Sequence, residues 1–594
     1  MKLLLTAINA KYIHSNLAVY NLRACAGENR SSVELAEFTI NHRSEYILQE
    51  IYKKTPDVLC FSCYIWNYDY VREIAAEFHK LRPEVPIWVG GPEVSYEIEV
   101  MFQENPAFFG VMIGEGEATF RELAEYYCST EAKKPLEEIH GIAYRAKEGT
   151  GTETIIHTSP REPLDLSSIP FCYEDMTDFE NRIVYYESSR GCPFSCSYCL
   201  SSIDKKLRFR SLELVKRELS FFLEKEVPQV KFVDRTFNCN HEHAMEIWKF
   251  IKEHDRGITN FHFEIAADLL TDEEIALLST LRPGLVQLEI GVQSTNLETI
   301  QEIHRVMQLS EVESAVRLIQ RAGNIHEHLD LIAGLPYEGY QRFAQSFRDI
   351  YALKPNQLQL GFLKVLKGAY IYQHRQEYGL IYSSRPPYEV LQTKWLSYEE
   401  LLRIKLVEEM LEVYYNSGQY EVTMKLLDVV YEDSFDFFLQ LGLFYEKMDY
   451  RNRNHSRIRR CEILLEFLKA DGRIPVELAE ESLLYDLYYR ENSKSRPFWA
   501  KNPSEFSKIT RRFCKNGKMS HVEPFSYHFP QKGEKSITEL PKRLSEEIYV
   551  LFEYEKRDAL DHQAKITELV NVEEKCKDGE ETCLTFQEKH GSMS

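Results

Sequence analysis

The chain has 594 residues, which at roughly 100 to 200 residues per domain gives about three to five domains with several hydrophobic cores. Hydrophobic residues make up 44% and charged residues 28%, with 36 Tyr and 33 Phe, which excludes a disordered, collagen-like or low-complexity chain. The formal net charge of −21 disfavours nonspecific attraction to nucleic acid or anionic membrane, so nucleic acid is not expected as a partner.

No apolar run approaches the roughly 18 residues of a membrane span, so no membrane association is expected. The apolar start is interrupted by Asn9 and Lys11 and reads as a first buried strand rather than a signal peptide. The 13 cysteines are an odd number without secretory features, which favours reduced thiols or metal ligands in a cytoplasmic enzyme.

In the first 130 or so residues short apolar runs at 2–8, 33–40, 58–64, 87–90 and 109–113 alternate with helical patterns at 17–26, 45–54, 68–81, 95–103 and 117–127. Crossover connections of this kind make a doubly wound parallel sheet of flavodoxin or Rossmann type. Ligands bind such sheets at the carboxyl ends of the strands, here 9–15, 62–66, Gly90-Gly91-Pro92 and Gly114-Glu115-Gly116-Glu117. The glycines there either admit a bulky ligand to the backbone or simply make tight turns.

Residues 138–157 read as a small hairpin, and 159–170 hold three prolines without periodicity, as a linker does. A second βα series follows, with strands at 183–187, 230–234, 261–266, 285–291, 328–333 and 357–362. Six strands imply an open, partial (β/α)6 barrel whose site lies at the strands' carboxyl ends. Beyond residue 383 helical patterns at 401–415, 423–431, 458–470 and 476–489 mark a mostly helical third domain. Residues 547–554 alternate apolar and charged side chains as a strand would, and the polar tail is expected to be mobile.

Directly after the first barrel strand, Arg190-Gly191-Cys192-Pro193-Phe194-Ser195-Cys196-Ser197-Tyr198-Cys199 presents thiols at C-x3-C-x2-C spacing. Random placement would produce that triple about 0.006 times in such a chain. Thiolates suit zinc or an iron-sulfur cluster, and structural zinc takes four ligands. Three thiolates leave one iron of a 4Fe-4S cluster open to a substrate, whereas Cys172 or Cys239 would have to complete a zinc site.

These residues closely resemble the radical S-adenosylmethionine superfamily, with the resemblance covering about residues 180–370. It implies that Cys192, Cys196 and Cys199 hold three irons of a 4Fe-4S cluster while S-adenosylmethionine chelates the fourth. It also places Tyr198 against the adenine. The segment Val230-Lys231-Phe232-Val233-Asp234-Arg235-Thr236-Phe237-Asn238 resembles the family's second-strand motif, with Asp234 replacing the usual Gly-Gly-Glu. Glu264 ends a strand where the family often puts a polar contact to S-adenosylmethionine, or else it forms an ion pair. Leu288-Glu289-Ile290-Gly291-Val292-Gln293-Ser294 matches the ribose-binding strand end, which makes Glu289, Gln293 and Ser294 binding residues. Gly334-Leu335-Pro336 resembles the strand end that contacts adenine through its backbone.

The order of a five-stranded parallel domain, a linker and this barrel resembles the cobalamin-binding branch of the superfamily. The resemblance implies a cobalamin-binding domain over 1–137, a hairpin and linker over 138–180, a radical S-adenosylmethionine core over 181–375, a C-terminal domain over 376–571 and a tail over 572–594. Expected cobalamin contacts are Asn9, Ser62, Gly90, Gly91, Pro92, Gly114, Glu115, Gly116 and Glu117. The D-x-H-x-x-G motif is missing, so neither His14 nor His42 is assigned to cobalt.

The expected function is a cobalamin-dependent C-methyltransferase acting on an unactivated carbon, with a flavodoxin or ferredoxin-type electron donor. Alternatives are a cobalamin-dependent rearrangement or ring closure, and a non-catalytic cobalamin or redox sensor. A tRNA methylthiotransferase-like enzyme is a further alternative, but Cys25, Cys60, Cys63 and Cys128 do not supply that family's second ligand set. Arg451, Arg453, Arg457, Arg459 and Arg460 form the one dense basic run, either a phosphate contact or a solvated helix face.

Overall fold

The computed structural model describes residues 1–129, 134–147, 153–514, 519–530, 534, 536–555, 557–573 and 584–588. They form two compact units, the first comprising Met1–Ala322, Ile332–Gly339 and Gly361–Tyr398, the second Gly323–Leu331, Tyr340–Leu360 and Glu399–Ser594.

The first unit begins with β1 (Leu3–Asn9), α1 (Leu17–Cys25), β2 (Val33–Thr39), α2 (Ser44–Lys53), β3 (Val58–Ser62), α3 (Tyr68–Leu81), β4 (Ile87–Gly90), α4 (Ile98–Glu104), β5 (Gly110–Met112) and α5 (Glu117–Cys128). These strands pair in parallel in the order β2-β1-β3-β4-β5, and every residue of β1 and β3 is buried. Burial on both faces explains their unbroken apolar runs, since helices cover each side of the sheet. Gly110 is required because a Cβ there would collide with the fully buried Trp88 ring on the neighbouring strand. The hairpin β6 (Ile142–Lys147) and β7 (Glu153–His157) joins this sheet antiparallel to β5, extending it to seven strands.

The second βα series starts with β8 (Val184–Tyr186), followed by the short antiparallel pair β9 (Ser189–Arg190) and β10 (Arg208–Phe209) that brackets the cysteine loop. It continues with α6 (Leu212–Glu224), β11 (Gln229–Phe232), α7 (His241–His254), β12 (Asn260–Ile265), α8 (Asp272–Leu278), β13 (Val286–Gln293), α9 (Leu297–Glu302) and α10 (Leu309–Ala322). Strands β8, β11, β12 and β13 pair in parallel in chain order. β14 (His326–Ala333), α11 (Tyr340–Tyr351) and β15 (Gln357–Phe362) complete the βα series of the sequence. The chain then passes through the short elements α12 (Tyr370–Gln373), β16 (Ile381–Tyr382) and β17 (Val390–Gln392).

The second unit is built around α13 (Tyr398–Leu411), α14 (Glu421–Val430), α15 (Ser434–Lys447), α16 (Arg457–Asp471) and α17 (Val476–Arg490), followed by the short α18 (Ser507–Phe513). After them comes an antiparallel sheet of β18 (Ser520–Tyr527), β19 (Arg543–Glu553), β20 (Lys565–Glu573) and β21 (Leu584–Glu588). Tyr485 of α17 packs against Phe525, Phe529 and Phe552, so that helix is buried against the sheet as well as against its neighbours. This sheet is more than the single strand expected near 547–554, and β21 lies within the stretch expected to be a mobile tail. The strand's polar composition hides it, because its place comes from backbone pairing to β20. The rest of that expected tail, 574–583 and 589–594, lies outside the described residues.

Arg451, Arg457 and Arg459 are engaged with Glu409, Glu491 and Glu462 at 2.9, 3.2 and 3.0 Å, and Arg453 with Asp449. Four members of the basic run are thus spent on carboxylates of the same unit. No helix among the described residues is long and apolar enough to cross a membrane.

Candidate active site

The cysteine loop is pinned by backbone hydrogen bonds at both ends. Cys192 N donates to Asp204 O at 3.0 Å, Ser197 N to Ile303 O at 2.9 Å, and Ile371 N to Ser197 O at 2.9 Å. Gly191 has φ +96, and a Cβ there would sit 2.6 Å from Lys206 O, so the turn into the loop admits only glycine. Cys192 and Cys196 are buried and Cys199 is half-buried. Burial raises the Cys196 thiol, the Arg305 guanidinium 3.8 Å from its sulfur opposes that rise, and the charges of Cys199 and Cys192 add to it. The three thiols therefore meet in one electrostatic neighbourhood beside a half-buried cation.

Of the cysteines considered for other roles, Cys60 and Cys63 are core residues, and burial pushes Cys60 up to about 12. Cys239 lies close enough to Cys192 to feel its charge, whereas Cys172 interacts with Cys25 and Arg23 instead.

The end of β13 packs beside this loop. Arg305 donates to Gly291 O as well as to Cys196, and Gln293 has φ +73. Gln293 Oε1 and Ser197 Oγ are buried without a partner in the protein. Buried polar atoms left unpaired are costly, and this pair offers an acceptor and a hydroxyl to a ligand. Three thiols together with these two orphaned groups fit a thiolate-held cluster and a polar ligand at its open side.

The other residues expected to contact S-adenosylmethionine have protein partners. Asp234 is fully buried, accepting from Ser188 N at 2.9 Å and from the Ser188 and Ser189 hydroxyls at 2.6 Å each. Burial pushes it up to about 6 despite these bonds. Its evident work is to hold the chain entering the cysteine loop, a role its replacement of Gly-Gly-Glu did not disclose. Glu289 is paired with Lys231 and His262 at 2.9 Å each; burial raises its pKa, but these two partners hold it well below the usual carboxylate range. Glu264 stands opposite Glu289 in the β12–β13 register. Ser294 Oγ donates to the buried Glu338 at 2.7 Å. Tyr198 is half-buried beside Arg305 and Cys196. Gly334 has φ +92 and would place a Cβ 2.7 Å from Val390 Cγ1, and Leu335 is fully buried.

A cavity of about 590 Å³ lies between the carboxyl ends of the first sheet and the flanks of the cysteine loop. Asn9, Trp66 and Glu117 line one side, and Arg190, Gly191 and Arg235 the other. Among the expected cobalamin contacts only Asn9 and Glu117 reach it. Asn9 Nδ2 donates to Glu37 at 2.9 Å and to His14 O at 3.0 Å. Ser62 Oγ accepts from Asn16 at 3.3 Å. Gly90 O accepts from Cys63 N at 2.7 Å, and a Cβ on Gly91 would lie 2.5 Å from Cys63 O, so Gly91 is required by backbone packing. Pro92 is exposed, and Gly116 packs beside Leu22. Gly114 has φ +76 with open space around it.

Glu115 and Glu117 do not stand free at the strand end. Arg208 meets Glu115 at 2.5 Å, and Arg190 meets Glu115, Glu117 and Glu187 at 3.4, 2.7 and 2.7 Å. These ion pairs bind the β5 end to the strand that carries the cysteine loop. The acidic pair was legible in sequence, but its arginine partners lie more than 70 residues away, beyond any local pattern. Tyr64 and Trp66, stacked at 4.3 Å between ring centroids on the cavity wall, were passed over as part of a strand end. An aromatic pair there was the available signal.

Residues 3–124 match a family described as B12 binding domain, 186–350 the Radical SAM superfamily, and 376–564 a family described as Protein of unknown function (DUF4080). The chain is 28% identical over 313 residues to the cobalamin-dependent radical SAM methyltransferase TokK of Streptomyces tokunonensis, covering 50% of this chain and 44% of that protein. It is 25% identical over 324 residues to an anaerobic magnesium-protoporphyrin IX monomethyl ester cyclase of Synechocystis, covering 53% of this chain and 61% of that one. The chain thus spans about half the length of the curated relatives it matches. Its fold is similar to that of the cobalamin-dependent S-adenosylmethionine radical enzyme OxsB solved with aqua-cobalamin, with a TM-score of 0.57 at 15% identity over 86% of this chain and 84% of that one. The chain is a radical SAM protein with an N-terminal B12 binding domain and a C-terminal DUF4080 domain.

Proposed function

We propose that the protein is a cobalamin-dependent radical SAM methyltransferase acting on an unactivated carbon. One observation carries this reading: a single cavity is walled by the strand ends of the B12 binding domain and by the flanks of a three-thiol loop. When bound, the cluster supplies the electron that cleaves S-adenosylmethionine, and cobalamin supplies a methyl carrier.

In this reading Cys192, Cys196 and Cys199 would hold the cluster, and Arg305, whose Nη1 lies 3.8 Å from Cys196 Sγ, would stabilise its negative charge. Gln293 Oε1 and Ser197 Oγ would take up polar groups of S-adenosylmethionine, and Tyr198, beside Cys196, would lie against it. Asp234 positions the loop through Ser188 and Ser189 rather than touching the ligand. The Arg190 ion pairs hold the β5 end against the loop, so the reacting groups keep a fixed spacing. Tyr64 and Trp66 present a flat apolar surface suited to the corrin ring.

Anaerobic reconstitution followed by product analysis tests the reading. Methyl transfer yields both S-adenosylhomocysteine and 5'-deoxyadenosine, and 5'-deoxyadenosine alone would favour the second reading, a cobalamin-dependent rearrangement or ring closure. The similarity to a cyclase, at 25% against 28% for the methyltransferase, keeps that second reading in play. Failure of the wild-type protein to cleave S-adenosylmethionine at all would overturn both.

A further inference from the structure

The segment that follows β11 is fixed at two points. Asp234 is tied to the Ser188 and Ser189 hydroxyls at 2.6 Å each. Asn238 makes a reciprocal pair with Ala266, just beyond β12, its Nδ2 donating to Ala266 O at 2.8 Å and its Oδ1 accepting from Ala266 N at 3.0 Å. Both Asp234 and Asn238 are fully buried, and Phe237 packs between them against Phe232, Trp248 and Phe263. Thr236 lies midway between the two anchors and is buried, with its Oγ1 3.8 Å from Cys192 Sγ. That contact joins the end of β11 to the first thiol of the cysteine loop, as Arg305 joins the end of β13 to the second.

Either atom can donate while Cys192 is a free thiol, but an iron-bound sulfur carries no proton, so the hydroxyl must then be the donor. The β-branch of threonine restricts χ1, and the anchored backbone on either side keeps Oγ1 beside the loop. A donor to a cluster sulfur favours the reduced state, because the added electron makes the sulfurs more negative and the hydrogen bond stronger. We propose that Thr236 donates its hydroxyl to the cluster-bound sulfur of Cys192 and so raises the potential at which the cluster takes up one electron from a low-potential one-electron reductant. The hydroxyl keeps its proton in both states, so the step moves an electron alone. The inference rests on the reading of the three thiols as cluster ligands. Thr236 acts through Cys192 rather than on the substrate, which makes it a positioning residue, and Asp234 and Asn238 are the supports that hold it there.

The test compares wild type, T236V and T236S as full-length protein reconstituted anaerobically with iron and sulfide. Valine keeps the branch and nearly the volume of threonine without the hydroxyl, whereas serine keeps the hydroxyl. Redox titration followed by electron paramagnetic resonance should show the ratio of reduced to oxidised cluster at a fixed potential lowered about tenfold in T236V, equivalent to 59 mV for a one-electron couple, with iron content unchanged. T236S should stay within about threefold of wild type. In D2O, pulsed electron paramagnetic resonance of the reduced cluster should show an exchangeable deuteron coupling that is lost in T236V and retained in T236S. An unchanged potential in T236V, or a shift in T236S as large as that in T236V, would overturn the proposal. Loss of iron from T236V would also overturn it, by assigning Thr236 to the construction of the loop. A wild-type protein that assembles no cluster would instead overturn the cluster reading itself, an outcome distinct from a normal cluster whose potential is indifferent to Thr236.

Discussion

Arg305 Nη1 lies 3.8 Å from Cys196 Sγ, and the same guanidinium donates to Gly291 O on β13. The contact joins the cysteine loop to the strand end that carries Gln293. A cation beside a cluster thiolate stabilises the more negative, reduced state. Replacing Arg305 by Met should therefore lower the midpoint potential by roughly 65 to 130 mV, the equivalent of losing one hydrogen bond to a charged group. Anaerobic redox titration followed by electron paramagnetic resonance measures it, and an unchanged potential would detach Arg305 from the cluster.

Replacing any one of Cys192, Cys196 or Cys199 by Ala should abolish stable cluster binding, read as iron and sulfide content after anaerobic reconstitution. Cys60→Ala, Cys63→Ala and Cys128→Ala should keep the iron. For the two core thiols the cost is stability, about 1 kcal/mol each from lost packing. Loss of a second set of irons in these variants would revive the methylthiotransferase-like alternative.

Gln293 and Asp234 should separate ligand binding from loop positioning. Gln293→Leu removes an acceptor that has no protein partner, so S-adenosylmethionine affinity should fall by about 1 to 3 kcal/mol with iron content intact. Asp234→Ala frees Ser188 and Ser189, so iron content should fall first. Equilibrium dialysis with S-adenosylmethionine alongside iron analysis distinguishes the two.

The stability of the apo protein should carry a pH signature from Asp234. Its folded pKa of about 6 exceeds an unfolded value near 3.8, so the native state binds the extra proton between those values. Stability from this group is full below about pH 4 and is lost as the pH rises to about 6, with a span of about 3 kcal/mol. Urea unfolding of wild type at pH 5 and pH 7.5 should show a steeper loss than in Asp234→Asn, which cannot ionise. Equal pH dependence in the two proteins would contradict the buried carboxyl.

Bound cobalamin should be base-off without a histidine on its lower face. His42 Nδ1 accepts from Thr39 N at 3.1 Å, whereas His14 reaches the cavity with Nδ1 bonded to Tyr185 Oη, which leaves its Nε2 as the nitrogen the test must exclude. Electron paramagnetic resonance of the cob(II)alamin form should lack nitrogen superhyperfine splitting, and His14→Phe should leave that spectrum unchanged. Splitting that disappears in His14→Phe would make His14 the axial ligand.

The sequence by itself determined the local elements and the chemistry with short-range signatures. The βα alternation follows from runs such as Leu3–Asn9 and Val58–Ser62, whose burial on both faces demands continuous apolar residues. The thiol triplet is legible because its ligands sit within eight residues of one another. Tertiary structure decided what long-range pairing controls. Asp234 could be read as a ligand contact until Ser188 and Ser189, over 40 residues earlier, took both its oxygens. Glu115 and Glu117 lost their free acceptors to Arg190 and Arg208 for the same reason. A side chain's type fixes which partners it can bind, but the partner it has depends on which distant strand ends the fold brings together, and no local pattern records that.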